Sequence, residues 1–305
     1  MKSHQPLISI ALCTYNGERF LREQLDSLVN QTYQNLEIIA IDDCSTDNTL
    51  LILKEYENKF DFLNVYQNPN NLGFRKNFEK AISQCNGEFI ALCDQDDIWR
   101  VDKLEIQCKL INENVLVYHD SELIDENGKA LNKKVSDVMN LYQGNQCHTF
   151  LFENCVSGHS CLFSKKLIPY ILPFPTQIYH DKWIAFVAAS QGNISFSKEV
   201  LVYYRQHSNS NTDLLRKKKQ KGEDGRTKIE KSLEEIKIFK TLLPHDPFIQ
   251  KIHNLFTNRV NQFLSLELFL VIFKNRAVLY YCKKKSSISV FGYCLKYLWG
   301  YRLKK

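Results

Sequence analysis

The sequence predicts an α/β fold: a doubly wound, mostly parallel sheet flanked by helices, with a helical C-terminal extension. Three observations predict it. Short apolar runs alternate with stretches of helical spacing across residues 1–120, the signature of strands joined by crossover helices. A charge-rich run at 216–228 separates this body from helical patterns that continue to the end. The 305 residues are enough to bury one sizeable core and a smaller satellite.

The elements follow in order. Residues 7–12 form a short apolar strand. In 18–30, Phe20, Leu21, Leu25 and Leu28 recur at helical spacing. Residues 36–41 are the next strand, and Ser45-Thr46-Asp47 offers capping groups for a helix over about 47–59. A strand at 62–67, a helix at 74–85, a strand at 88–93, a helix at 101–112 and a strand at 115–118 complete the alternation. Residues 121–146 read as polar and irregular. Mixed elements are expected over 147–163, 165–172, 181–190 and 193–206, with a strand-like 201–205. The division expected is a body over 1–212, in halves of about 1–120 and 121–212, then a charged linker at 213–228 and a helical, basic region at 229–305.

The charge is uneven. Residues 251–305 hold eleven Lys and Arg against the single acid Glu267, a net +10. That leaves −4 on residues 1–250 of a chain whose net charge is +6. Such a basic, apolar tail is suited to an anionic surface. Residues 263–273 are strongly apolar but interrupted by Glu267 and short for a bilayer span. Residues 288–301 mix apolar side chains with Lys296 and Arg302, which suits an amphipathic helix in a lipid interface. A helical pair packed on the core or on a second subunit, as in a homodimer, is the alternative. The ten cysteines are scattered, with no C-x-x-C pair, and no secretory leader is evident. They are therefore expected as reduced thiols in a cytoplasmic protein, with no nucleic-acid partner.

In open α/β sheets ligands gather at the carboxyl ends of the strands. There stand Cys13-Thr14-Tyr15-Asn16-Gly17 after the first strand, Asp42-Asp43-Cys44-Ser45-Thr46-Asp47 after the second, and Asp94-Gln95-Asp96-Asp97 after the fourth. Acids at one edge repel unless a cation holds them. In extended backbone Asp94 and Asp96 face the same way, and oxygen ligands of this kind suit Mg²⁺ or Mn²⁺ with room for substrate phosphates. A helix cap is the plainer reading of the same acids, and Asp97 is the member most suspected of a structural role. No G-x-G-x-x-G loop and no phosphate loop of the G-x-x-x-x-G-K-[ST] kind occurs, so a nucleotide would be held by side chains and a metal.

The runs ISIALCTYNGERFLREQLDSL, EIIAIDDCSTDNT, NPNNLGFRKNF and FIALCDQDDIW resemble family 2 glycosyltransferases. YHDKW and VYYRQH are similar to the acceptor-side and closing motifs of its rhamnosyltransferase-like branch. The resemblance spans about residues 6–210. It implies a GT-A fold and an inverting single displacement from a nucleotide-sugar of the UDP or dTDP type to a glycan or lipid-linked acceptor. That acceptor would stand at the inner face of the cell membrane, in cell-surface polysaccharide synthesis.

By the same resemblance Thr14, Tyr15 and Asn16 would line the nucleotide pocket. Asp43 would contact base or ribose with Asp42 beside it, and Arg75 and Asn77 would lie nearby. Asp94 would sit by the ribose, and Asp96 would bind the metal. Asp181 matches the base, kept ionised by the helix it begins, and His180 is an alternative base or orients its neighbour. Arg205 is expected near the diphosphate, and His207 in the metal shell. Asn154, Gly158 and His159 are expected to shape the acceptor pocket. Trp99 and Trp183 are set either to stack on sugars or to fill the core.

Two other readings compete. A nucleotidyltransferase also uses such a sheet and metal, but Thr14-Tyr15-Asn16-Gly17 stands where a glycine- and arginine-rich loop is expected. A non-catalytic membrane adaptor is the other.

Overall fold

The computed structural model describes residues 5–207, 225–259 and 262–299. The expected alternation is present as β1 (Ile8–Thr14), α1 (Glu18–Val29), β2 (Leu36–Asp42), α2 (Thr49–Glu57), β3 (Leu63–Gln67), α3 (Phe74–Gln84) and β4 (Phe89–Cys93). β1 is buried along its whole length, as a strand covered on both faces must be. Its side chains alternate between two cores. Ile8, Ile10 and Leu12 face α1 and α2, whereas Ala11 and Cys13 join the core that holds Phe78 and Ile82 of α3.

The strands run in the order β3-β2-β1-β4, all parallel. The chain winds outward from β1 to β3 and then returns to place β4 on the other side of β1. This reversal opens a crevice at the carboxyl ends of β1 and β4.

Beyond β4 the sheet is mixed. The chain continues through β5 (Ile98–Trp99), α4 (Lys103–Ile111), β6 (Leu116–Ile124), β7 (Ala130–Lys134), α5 (Val135–Val138), β8 (Leu162–Ser164), α6 (Ile168–Ile171), α7 (His180–Gln191) and β9 (Ile194–Arg205). β8 lies antiparallel between β4 and β6, while β6 and β9 form a long parallel ladder. β5 adds an antiparallel edge to β9, and β7 pairs with β6.

The stretch expected to be irregular from residue 121 is thus partly strand. His119, Asp120 and Ser121 are polar yet buried. Asp120 accepts hydrogen bonds from Ser136 and from the Ser121 N–H, so burial leaves its carboxylate satisfied.

Residues 208–224, most of the expected linker, lie outside the described residues. Helix α8 (Gly225–Leu242) follows, then α9 (Pro247–Arg259), α10 (Leu266–Lys274), α11 (Arg276–Leu279) and α12 (Ser287–Leu295). These helices share a core with the sheet. Phe239 of α8 packs on Phe186 at 4.2 Å and on Trp183 at 6.1 Å, both on α7. Among the described residues no helix is long and apolar enough to cross a membrane.

Candidate active site

The crevice is edged by the turns after β1, β2 and β4, and these turns are laced together. Asn16, at φ 47°, donates its N–H to Ser45 Oγ and accepts from the Thr46 N–H at 2.8 Å. Gly17 N–H reaches Thr49 Oγ1, and Glu18 Oε2 receives the Asn48 N–H. Gln95, in the middle of the acidic run, pairs with the Tyr15 backbone through its Oε1 at 2.7 Å and its Nε2 at 3.0 Å. A Cβ on Gly17 would fall 2.3 Å from Gln95 Oε1, so glycine is what admits that pairing. Thr14 is buried, whereas Tyr15 is 46% exposed at the crevice mouth.

Asp42 and Asp43 are buried. The Asp42 carboxylate accepts from Thr14 Oγ1, from Ser45 Oγ and N–H, and from Gln67. Asp43 takes Asn68 Nδ2 and the N–H groups of Leu72 and Gly73, each at 2.8 Å. It thereby ties down the loop that starts α3. Asn77, also buried, accepts from Asn68 and donates to Ile41 O. Asp43 and Asn77 therefore hold the pocket wall from behind. Arg75 donates to Thr176 O and lies over the rings of Phe74 and Tyr179, on the side of the crevice from which α7 begins.

The β4 turn behaves differently. No donor of the described residues meets the Asp94 carboxylate. Burial, then the charges of Asp96 and Asp181, push it up to about 7. Of these charges, Asp181 is the one from the second half of the chain. Asp96 Oδ2 stands 2.8 Å from His207 Nε2, and both side chains are partly exposed, at 20% and 12%.

Asp96 and His207 offer a carboxylate and an imidazole, ligands that a hard divalent cation accepts, and a cation there would relieve the unmatched charge at Asp94. Among the described residues the trio whose ligand atoms all lie within 4.8 Å of one another is Asp94, Asp97 and His159. Its Asp97 and His159 are fully buried, and Asp97 Oδ1 already accepts the Arg205 N–H at 2.9 Å. His159 Nε2 bonds Ser121 Oγ at 2.9 Å, and burial lowers its pKa to about 3. Asp97 and His159 also seat β9 under the β4 turn, through the Arg205 N–H and the Tyr204 ring.

Arg205 is placed otherwise than expected. Its guanidinium is 2% exposed, donates to the carbonyls of Asp96, Asp125 and Glu126, and pairs with Glu23 at 2.5 Å. It holds the Asp96 backbone from below, with its guanidinium turned away from solvent. The tie to Glu23, an α1 residue 182 positions away in sequence, carries no local sequence signal.

On the far wall Asp181 lies in the first turn of α7. Burial pushes its carboxyl up to about 6, against hydrogen bonds from the Lys182 and Asp181 backbone and the Asn154 side chain. The helix start therefore does not hold it in the usual carboxylate range, because loss of water outweighs it. His180 stacks on Phe78 at 4.7 Å and meets Phe74 and Phe174. Burial lowers its pKa to about 4, and no hydrogen bond joins it to Asp181 among the described residues.

Gly158 leaves room for that ring, since a Cβ there would come 3.2 Å from His180 Nε2. Trp183 is a core residue, 6% exposed, with Nε1 bonded to Ile171 O. Trp99 is likewise buried, under the Lys103 ammonium. Neither indole is open to a sugar. Asn154 and Gly158 border Asp181 and His180, but His159 lies behind Asp97.

Residues 9–171 match the family model described as glycosyl transferase family 2. An uncharacterised glycosyltransferase of Methanocaldococcus jannaschii is 30% identical over 226 residues, covering 71% of this chain and 76% of the relative. One from Rickettsia felis is 31% identical, but this chain spans only 35% of its length. A putative teichuronic acid biosynthesis glycosyltransferase, TuaG of Bacillus subtilis, is 31% identical over 135 residues, 44% of this chain and 54% of TuaG. Among solved structures, S. aureus TarS 1–349 in complex with UDP-GlcNAc superposes with TM-score 0.60 at 19% identity. That match covers 90% of this chain and 81% of TarS 1–349, and the likeness concerns the fold.

Proposed function

The chain belongs to glycosyl transferase family 2, and on that premise we propose that it moves a sugar from a nucleotide-diphosphate donor to a hydroxyl of a glycan or lipid-linked acceptor. The transfer is an inverting single displacement in cell-surface polysaccharide synthesis at the cytoplasmic face of the membrane. TarS was crystallised with UDP-GlcNAc and with UDP, and TuaG is named for teichuronic acid synthesis, which supports a UDP- or dTDP-type donor and a polysaccharide acceptor.

The observation that carries the proposal is the Asp96–His207 pair at the end of β4, 2.8 Å apart and partly exposed, beside an Asp94 carboxyl that burial and the charges of Asp96 and Asp181 raise to about 7. Tyr15 and Asn16 offer the exposed wall for the nucleotide, on a turn that Thr14, Asp42 and Asp43 keep rigid. Asp96 and His207, with Asp94 beside them, would hold Mg²⁺ or Mn²⁺, which would offset the negative charge growing on the departing diphosphate. Asp181 takes the proton of the acceptor hydroxyl as attack proceeds. Its carboxyl near 6 is ionised at neutral pH yet basic enough to accept that proton.

The test is donor hydrolysis and transfer with Mn²⁺ for the wild type, Asp96→Asn and Asp181→Asn. Transfer surviving both a chelator and Asp96→Asn would overturn the metal assignment. Release of pyrophosphate from a nucleoside triphosphate would point to a nucleotidyltransferase instead. Calorimetry showing no binding of Mn²⁺ or nucleotide diphosphates would leave a non-catalytic adaptor.

A further inference from the structure

The C-terminal helices present an apolar surface that the chain itself leaves uncovered. On α10, Leu266 and Leu270 are 56% and 40% exposed, and Phe263 and Leu264 before it are 45% and 49% exposed. On and after α12, Ile288 is 84% exposed and Trp299 52%. The two stripes belong to one unit. Leu264 bridges Trp299, Ser265 N–H donates to Leu298 O at 3.0 Å, and Phe291 packs edge-on against Phe269 and Phe273. Around them Lys274, Lys284, Lys285 and Lys296 are exposed. Residues 251–305 carry the net +10 already noted, with Glu267 the single acid.

Two magnitudes decide what such a surface fits. α10 and α12 have 9 residues each, whereas a bilayer span needs about 20, so the unit can lie on a membrane but not cross it. An isologous dimer through the same face would set two basic tails against each other, which electrostatic repulsion opposes. An anionic surface removes that conflict. The lysine stems cover apolar surface while their ammonium groups stay in water, and Trp299 suits the boundary between lipid and water.

We infer that the Phe263–Trp299 ridge formed by α10 and α12 is a docking surface for the anionic lipid headgroups of a membrane, inserting Leu264, Leu266, Ile288 and Trp299 into the interface. This deepens the reading of a membrane-proximal transferase and rests on it for its biological sense, but its test needs no catalysis. The ridge is also not the single terminal helix expected from residues 288–301. It is a composite of two segments, 263–274 and 287–299, separated by twelve residues.

The experiment is flotation of the full-length protein with vesicles of phosphatidylglycerol or of phosphatidylcholine, at low and high salt. Wild type is expected to bind phosphatidylglycerol at least about tenfold more tightly than phosphatidylcholine, and to lose most of that preference at high salt. Leu266→Asp with Ile288→Asp, and separately Lys274→Glu with Lys285→Glu, should each weaken binding by about tenfold or more. Both should leave Mn²⁺-dependent donor hydrolysis in vesicle-free solution unchanged, since these side chains lie outside the crevice. Equal flotation of wild type with both lipids, or flotation of either variant equal to wild type, overturns the surface. So does a wild-type dimer that the Leu266→Asp, Ile288→Asp variant converts to monomer while vesicle binding persists. Absence of donor hydrolysis in every form, with flotation as expected, would count against the transferase reading and leave the docking surface standing.

Discussion

At the end of β2, Asp42 and Asp43 are buried and each carboxylate oxygen meets a donor from the chain's own turns. At the end of β4, among the described residues, Asp94 meets no donor, Asp96 meets His207, and Asp97 Oδ2 is buried without a hydrogen bond, the His159 ring standing 3.8 Å away. The residue type and the sheet edge are the same, but the use is opposite. Donors supplied by the protein turn an acid into scaffold. Donors left out turn it into a place for a cation or a reacting hydroxyl, because an unmatched buried carboxylate is costly until something charged or protic arrives.

The sharpest break of this comparison lies across the crevice. Asp181→Asn should retain donor binding while transfer falls by about 10²–10⁴-fold. Near-normal turnover would show that proton removal happens elsewhere. Next comes Asp96→Asn, expected to cost about 10²–10³-fold in transfer and to weaken Mn²⁺ binding in calorimetry. Unchanged Mn²⁺ affinity would place the cation elsewhere.

Asp43→Asn tests the opposite side. It should lower unfolding stability by about 2 kcal/mol, the scale of lost hydrogen bonds to a charged group, while Mn²⁺ affinity stays as in wild type. Loss of nucleotide binding without loss of stability in denaturant unfolding would make Asp43 a ligand contact instead.

The smallest effect concerns pH. Asp94 has its folded pKa raised to about 7 from an ordinary value near 4. The folded state then holds its proton more tightly than the unfolded state. The stability Asp94 contributes is present at acid pH and is lost as pH rises from about 4 through about 7. Asp94→Asn should therefore raise the melting temperature at pH 8 and change it little at pH 4, in metal-free buffer. Mn²⁺ should flatten the wild-type profile. An equal shift at both pH values would mean that the carboxylate is already compensated in the folded protein.

Much of this was readable in the chain. The βαβ alternation placed all four strands of the parallel half within a residue or two, because a strand buried on both faces must be continuously apolar and its helices amphipathic. Gln95 was inside a run already singled out, and Gly17 offered a hint of its partner, but only coordinates show that the two meet. Residues 121–124, expected to be irregular, are strand, because polarity at Ser121 marks burial with a partner, not exposure. Of the two readings open for Trp183, the fold takes the core one, against Phe186 and Phe239, and Arg205, expected near the diphosphate, turns inward under the Asp96 carbonyl.

The sequence by itself determined the succession of strands and helices in the first half, the edge on which the acids collect and the basic character of the tail. These follow from local periodicity and formal charge, which need no knowledge of distant neighbours. Only the tertiary structure decided which acids the chain's own donors saturate, that the charge of Asp181 reaches Asp94, and that α10 and α12 pack together. Hydrogen-bond saturation and burial depend on residues tens to hundreds of positions away, brought together by packing that no local pattern encodes.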